Sequence, residues 1–431
     1  MSSSEFDEID FFRARDLWQD PYPYFEYART HGPVWQEPHR GVYMVTGFAE
    51  AMAVYNDHAT FSSCNTVAGP FAEWPVPIEG DDISDIIEQH RDGLMFSDQL
   101  PSFDPPRHTE HRGLLMRLIT PKRLKENEEF MWRFADRQIA EFVALGECDF
   151  VKDYANPFTL FVIADLLGVP EADHDTFREE LQGEDRPTQQ RGAMLHKPLE
   201  FLYQRFTRYI EDRRREPRDD VMTQLATATF PDGTLPAVDD VMLIAANLFA
   251  AGGETTARLL ATMVRYLGER PGLEPRLREN RALIPNFVEE TLRLETPLHS
   301  QFRLARVATT VGGVDLPAGA TLMMLNGAAN HDPRQFDDPD ELRLDRVNGR
   351  NHLGFGFGIH TCAGAPLARA EARISLERVL DRMRDITISE AEHGPPGDRH
   401  YEFSPIYLLR GVEQLHIEFT PIDPAVETDA V

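Results

Sequence analysis

Ten residues, 355–364, reading FGFGIHTCAG, constrain this chain more than any other stretch. They place Cys362 in a loop with glycines at 354, 356, 358 and 364, directly before the helix-forming run APLARAEARISLERVLDRM. Glycine lets a backbone turn tightly and approach a flat object closely. The free N–H groups at the start of the following helix point back toward the sulfur, where they stabilise a thiolate and moderate its donation. A cysteine by itself is most often a small buried hydrophobe. The loop around Cys362 is what separates it from Cys64 and Cys148.

The rest of the composition bounds the class. No Ser/Gly-rich linker and no internal repeat divides the 431 residues, so one domain over 1–431 is expected, with flexible tails at 1–14 and 421–431. The net charge of −28 argues against nucleic acid and against an anionic membrane surface as partners. Three cysteines at these spacings give neither a disulfide framework nor a zinc site. The N-terminus, MSSSEFDEIDFF, lacks the basic-then-apolar plan of a signal peptide. The longest strongly apolar run, 241–251, is too short for a membrane span. A cytoplasmic protein without a membrane anchor is the expectation.

Along the chain, a short aromatic-rich helix near 22–31, a strand at 41–47 and a further helix come first. Residues 61–103 are irregular and rich in Pro, Gly and Asp, and read either as a functional lid or as a solvated insertion. After Asp104-Pro105-Pro106, His108 and Arg112 lie four apart on one helical face, an arrangement suited to a pair of carboxylates. Amphipathic helices are expected over 126–230, with a polar loop at 181–198. Residues 235–271 form one long helical pattern, apolar nearly all round at its centre. Gly252 and Gly253 in mid-helix cost stability relative to alanine and predict a local opening. Glu254 and Thr255 follow at once, and a carboxylate beside a hydroxyl can relay protons. The plainer alternative, a glycine-weakened helix capped by threonine, suits Thr256 better than Thr255. Glu290 and Arg293 are spaced i,i+3 on the helix predicted over 284–297. Short strands with Gly/Pro turns follow over 298–330, and 401–419 is strand-like.

The pattern Phe355-x-x-Gly358-x-His360-x-Cys362-x-Gly364 resembles the haem-binding signature of the cytochrome P450 monooxygenases. Residues 251–256, AGGETT, resemble that family's oxygen-activation motif, with Glu254 in place of the more frequent aspartate. His108 and Arg112 resemble its propionate clamp, and Glu290 with Arg293 its ExxR pair, whose third member matches Arg346. The likeness runs over about residues 15–420. It implies a mainly α fold with small β-sheets, and haem b between the long central helix and the helix after Cys362, the axial thiolate ligand. Carried over position by position, the cofactor contacts are His108, Arg112, Ala251, Gly252, Arg303, Phe355, Gly356, His360, Cys362 and Gly364. Glu254 and Thr255 take the catalytic roles, while Glu290, Arg293 and Arg346 support the cysteine loop. Asn247, Leu248, Ala251, His299 and Ile406 fall near the substrate pocket, roofed by 61–103 with Phe71, Trp74, Ile78, Ile83, Ile86 and Met95 as candidates to line it.

The implied activity is hydroxylation of a mainly apolar small molecule, such as a steroid, terpenoid or fatty acid, using O2. No flavin or Fe–S signature lies in the chain, so electrons would come from a separate 2Fe-2S ferredoxin and its NAD(P)H-dependent reductase. Arg117, Lys122, Arg123 and Lys125 form either the docking face for that ferredoxin or a solvated basic face. Asn247 or His299 either bonds a polar group of the substrate or satisfies nearby backbone and water. Three alternatives stand beside this reading: a peroxide-driven peroxygenase of the same fold, a non-catalytic haem ligand-binding protein, and a flavin- or metal-dependent oxygenase in which Cys362 is incidental.

Overall fold

The computed structural model describes residues 6–170, 173, 176 and 200–422; the loop expected at 181–198 lies outside them. The longer helices are α1 (Tyr22–Thr30), α2 (Phe48–Asn56), α3 (Arg107–Leu115), α4 (Pro121–Ala140), α5 (Asn156–Leu167), α6 (Glu200–Arg215), α7 (Val238–Glu269), α8 (Ile284–Leu294) and α9 (Ala365–Arg382). Strands are β1 (Val34–Gln36), β2 (Tyr43–Val45), β3 (Phe61–Ser62), β4 (Glu147–Asp149), β5 (Ser300–Ala305), β6 (Thr309–Val311), β7 (Val314–Leu316), β8 (Thr321–Leu325), β9 (Met383–Ile388) and β10 (His416–Pro421).

The 32-residue α7 is the axis of the helical part and packs against α5, α6 and α9. Asp239 and Asp240 in its first turn complement the positive end of the helix dipole. The helix runs unbroken through Gly252 and Gly253, so the opening expected there is absent. Gly252 has a different reason: a Cβ there would lie 2.9 Å from Ile163 Cδ1, so the missing side chain lets α5 approach α7. The facing helix α5 is buried along nearly its whole length, as the apolar sequence NPFTLFVIADLL demands. Its Thr159 Oγ1 donates to Gly253 O at 2.8 Å.

The main sheet has the order β1-β2-β8-β5-β3, with β2 and β8 parallel and the remaining pairs antiparallel. β6 and β7 form a hairpin whose two-residue turn, Gly312-Gly313, has φ of +56° and +82°, the left-handed backbone that a type I′ turn requires. A third sheet, β4-β10-β9, closes against the end of α7.

Neither expected tail is loose where it is described. Phe11 is 1% exposed and stacks on Tyr24 with ring centroids 4.9 Å apart, because an aromatic cluster from α1 needs a cover. At the other end β10 extends to Pro421, and Ile422 is buried. Residues 61–103 are packed rather than solvated at their base: Cys64, Ile83, Ile87, Leu94 and Leu304 form their own small core. Ile83 is fully buried in that core and cannot line a pocket, whereas Phe71, Trp74, Ile78, Ile86 and Met95 remain partly exposed. Among the described residues no helix is long and apolar enough to cross a membrane.

Glu290 and Arg293 on α8 are both 0% exposed. Arg293 donates to Glu290 at 2.8 and 3.1 Å and to the carbonyls of Asn330, Pro339 and Glu341. Arg346 Nε reaches the same carboxylate at 3.0 Å and caps Asp337 O and Asp338 O. Each charged group in this triad is hydrogen-bonded inside the protein, two guanidiniums sharing one carboxylate and several backbone carbonyls, so removing one member strands the others. Arg293→Ala is expected to lower stability by about 3–5 kcal/mol, read from denaturant midpoints at constant slope.

Candidate active site

The cysteine loop closes on itself through Cys362 N to Phe355 O at 2.8 Å and Gly356 N to Leu353 O at 2.9 Å. Gly358 has φ +71°, and a Cβ there would stand 2.2 Å from Tyr55 O at the end of α2, so only glycine fits. Gly356, at φ +65°, needs glycine for its backbone alone. Cys64 and Cys148 are buried, whereas the Cys362 side chain is accessible although protein surrounds it. That desolvation pushes its thiol up; the Gly364 N–H, Arg112, the Ala365 N–H and Arg369 act the other way and favour the thiolate. Gly364 leaves the sulfur in ordinary contact distance, 3.8 Å from where its Cβ would be.

Beside the sulfur lies a cluster of cationic and imidazole groups drawn from three segments: α3, β5 and the cysteine loop. The His108 and His360 ring centroids are 4.2 Å apart. Both ring nitrogens of His108 are buried with no hydrogen-bond partner. His360 Nε2 meets Ser63 Oγ at 3.0 Å, and Arg112 Nη2 donates to Thr361 O at 2.5 Å. Arg303 is 3% exposed, donates to Thr66 Oγ1 and Phe302 O, and lies over the Tyr55 ring. The nearest acid, Asp104, is committed elsewhere: it accepts from Ser62 Oγ, Ser63 N and Arg306 Nη2, and pairs with Arg91 Nη2 at 3.2 Å. The cluster therefore carries positive charge and orphaned donors with no carboxylate of its own. Burial lowers His108 to about 4 and His360 to about 2, with the neighbouring arginines adding to both shifts. A group that presents two carboxylates here and a metal to the sulfur fits this donor set.

The third wall is α7. Asn247, Ala251 and Thr255 follow at i,i+4 and share one face with Leu243. Ala251 is exposed, with half-buried residues after it, in the middle of a mostly buried helix, which marks open space beside it. Thr255 Oγ1 donates to Ala251 O at 2.8 Å. Glu254 is not free: Arg258 Nη2 holds its Oε1 at 2.7 Å and Glu413 Oε1 at 3.2 Å. At the N-terminal end of the same face a cleft of about 540 Å³ is lined by Asp98, Tyr203, Asp239, Met242 and Leu243, with Tyr203 bonded to Asp98 at 2.8 Å.

Several sequence candidates stand elsewhere than expected. His299 does not face a pocket: it is 2% exposed and lies against the rings of Tyr22 and Phe25, in space left by Gly327. The strand that follows begins only at Ser300, and His299 N is tied to Leu408 O, which turns the ring into the aromatic core. Asn247 Nδ2 donates to Leu243 O at 2.7 Å, so its amide N–H serves its own helix. Gly252 faces α5, and Leu248 is buried in the main core. Ile406 is partly buried against the aromatic cluster of Phe11, Phe12 and Tyr407. Phe355 is half-buried with the Arg369 guanidinium over its ring. Ser63, Thr66 and Tyr55 join the cluster without any motif to announce them. Asp104 does more than start a helix, although its Pro-Pro context suggests only that.

The fold and the donor set define a haem-binding protein with a cysteine ligand. Residues 186–398 match the family model for cytochrome P450. Cytochrome P450 144 of Mycobacterium tuberculosis is 34% identical over 422 residues, covering 95% of this chain and 91% of that protein. The substrate-free structure of Mycobacterium marinum cytochrome P450 CYP150A6 is 53% identical with a TM-score of 0.91, over 97% of this chain and 100% of that one. CYP109E1 from Bacillus megaterium, solved in complex with corticosterone, is 27% identical with a TM-score of 0.78, over 94% and 100% of the two chains. The chain belongs to the cytochrome P450 family, whose members are monooxygenases that bind haem b through a cysteine thiolate.

Two outcomes follow from this geometry. Gly358→Ala forces a Cβ onto Tyr55 O and is expected to abolish stoichiometric haem loading, read as haem absorbance per protein. His108, His299 and His360 are held neutral in the fold, at about 4, 3 and 2 against an ordinary 6.5. The unfolded chain therefore binds more protons below pH 6.5, and stability falls as pH drops through that value toward 4. Denaturation midpoints of the haem-free protein are expected to show this loss, with a shallower slope in His299→Gln.

Proposed function

We propose that this chain inserts one oxygen atom from O2 into a C–H bond of a mainly apolar small molecule, with electrons from a separate 2Fe-2S ferredoxin and its NAD(P)H-dependent reductase. The observation that carries this reading is the accessible Cys362 sulfur beside an acid-free cluster in which His108 has two unpartnered ring nitrogens. His108, Arg112, Arg303 and His360 would hold the propionates of haem b and Cys362 its iron. When bound, the haem supplies reductive activation of O2 and oxidation of the C–H bond.

The chain's own residues handle protons and space. Rotation about the Thr255 side-chain bond swings its hydroxyl from Ala251 O to the open face of α7, where it can donate a proton. Glu254 is partly in solvent, with 41% of its side chain exposed. When Arg258 shifts to Glu413, the Glu254 carboxylate is released to carry a proton from solvent to Thr255 Oγ1. Ala251 leaves room beside the hydroxyl because it has no bulk. The Asn247 Oδ1, with its amide N–H engaged on Leu243 O, is left as an acceptor toward a substrate hydroxyl. The steroid complex of the 27%-identical CYP109E1 favours beginning a substrate panel with steroids. The basic residues at the start of α4 support ferredoxin docking less than their number suggests, since Glu126 pairs with both Lys122 and Arg123. Arg117 and Lys125 are the charges left for that face.

The test is a spectral titration of the ferric protein with steroids, terpenes and fatty acids, followed by turnover with ferredoxin, reductase and NADPH. A saturable shift toward high spin and a product gaining one oxygen atom are expected from one class. Thr255→Ala should keep the shift and lose product formation by about 10²-fold or more. Equal turnover from peroxide alone, or an unimpaired Thr255→Ala, would sink the proton-relay reading.

A further inference from the structure

Glu289 stands beside Glu290 on α8 but turns the other way. It is 2% exposed, and Arg369 grips it with two bonds, Nε to Oε1 at 2.7 Å and Nη2 to Oε2 at 2.9 Å. His352 Nε2 meets Oε2 at 3.1 Å, and Arg350 approaches from the rim at 3.4 Å. His352 and Arg369 hold the Glu289 carboxyl well down, to about 2, against the cost of burial.

The two inner partners are the two legs of the cysteine loop. His352 Nδ1 accepts the Gly354 N–H at 3.0 Å. The single proton of the neutral ring is therefore on Nε2, donated to Glu289. Gly354 is wedged at that point: a Cβ would lie 2.9 Å from Thr296 Oγ1 and 3.1 Å from Leu292 O. On the other leg, Arg369 lies in the second turn of α9 with its guanidinium carbon 4.6 Å from the Phe355 ring centre. Phe355 O in turn accepts the Cys362 N–H, and the Arg369 charge is one of those that favour the Cys362 thiolate.

We propose that Glu289 is a positioning residue for the Cys362 thiolate: it fixes both legs of the loop and sets how much of the Arg369 charge the sulfur feels. The proposal rests on the haem-thiolate reading above. It differs from a purely structural ion pair in the sign of its effects. Removing the Glu289 charge leaves Arg369 uncompensated, and added positive charge near the iron and sulfur favours the ferrous state. Removing the Arg369 charge does the opposite.

The test compares the haem-loaded wild type with Glu289→Gln, Arg369→Gln and the double variant by spectroelectrochemical titration of the ferric/ferrous couple. Glu289→Gln is expected to shift the equilibrium toward ferrous by about tenfold, ~59 mV for one electron. Arg369→Gln is expected to shift it the other way by a similar factor, and the double variant to return near the wild type. Shifts of the same sign in both single variants, or none beyond about threefold, would overturn the proposal. Should Glu289→Gln fail to fold, Arg369→Gln still decides. It alters a side chain that is 32% exposed and leaves Glu289 paired with His352 and Arg350. A wild type that binds no thiolate-ligated haem would overturn the parent reading instead, and with it this inference.

Discussion

A sulfur anion inside a protein must be stabilised by its surroundings or take up a proton, and much of this structure is arranged around that requirement. Two backbone N–H groups, Arg112 and Arg369 all act on Cys362 in the direction of the thiolate. None of them can wander. Arg112 is tied to the loop through Thr361 O, Arg369 is clasped by Glu289, and the N–H groups are those of the N-cap and first residue of α9. The ExxR triad lies one residue away on α8, so one helix supplies adjacent carboxylates to two networks facing different directions. Each network is hydrogen-bonded inside the protein and worth little as net attraction, but each is costly to half-remove. Their effect is to fix geometry.

The positive cluster next to the loop follows the opposite logic. Its charges are not matched by the chain. Asp104 is close enough to be felt by His108 and Arg303 yet spends its oxygens on two serines and two other arginines. Buried donors left unsatisfied beside unmatched positive charge are where a group carrying acceptor oxygens fits.

What was legible in the sequence was whatever depends on spacing along one element. The helix around 238–269, the Glu290–Arg293 pair, and the placing of His108 with Arg112 on one face all come from periodicities of three or four, whereas Arg346 was reached only through the family resemblance. What was not legible depends on which side of an element meets which neighbour. His299 reads as a pocket residue by position, but a backbone bond to Leu408 turns it inward. Gly252 reads as a defect in a helix, whereas the reason for it is Ile163 on another one, 89 positions away in the chain. Glu289 and Glu290 are neighbours that a linear reading cannot separate, though a single step of about 100° around the helix sends them to different partners. The acidic overall charge was informative only as an exclusion, since the charges that matter for the site are a local basic minority.

Asp104 also joins the irregular stretch 61–103 at both ends. It holds Ser62 and Ser63 where that stretch begins, and Arg91 where the stretch turns back toward α3. Ser63 passes the connection on to His360, two residues from Cys362. The base of the stretch is thus tied to the imidazole and arginine cluster beside Cys362. Its outer span, from Glu73 to Asp81, is largely exposed, and Asp82 bridges back to Val307 where the span ends. Such a plan divides the burden of variation: the exposed outer span can be rewritten, while the carboxylate that anchors its base is held in place by the chemistry below.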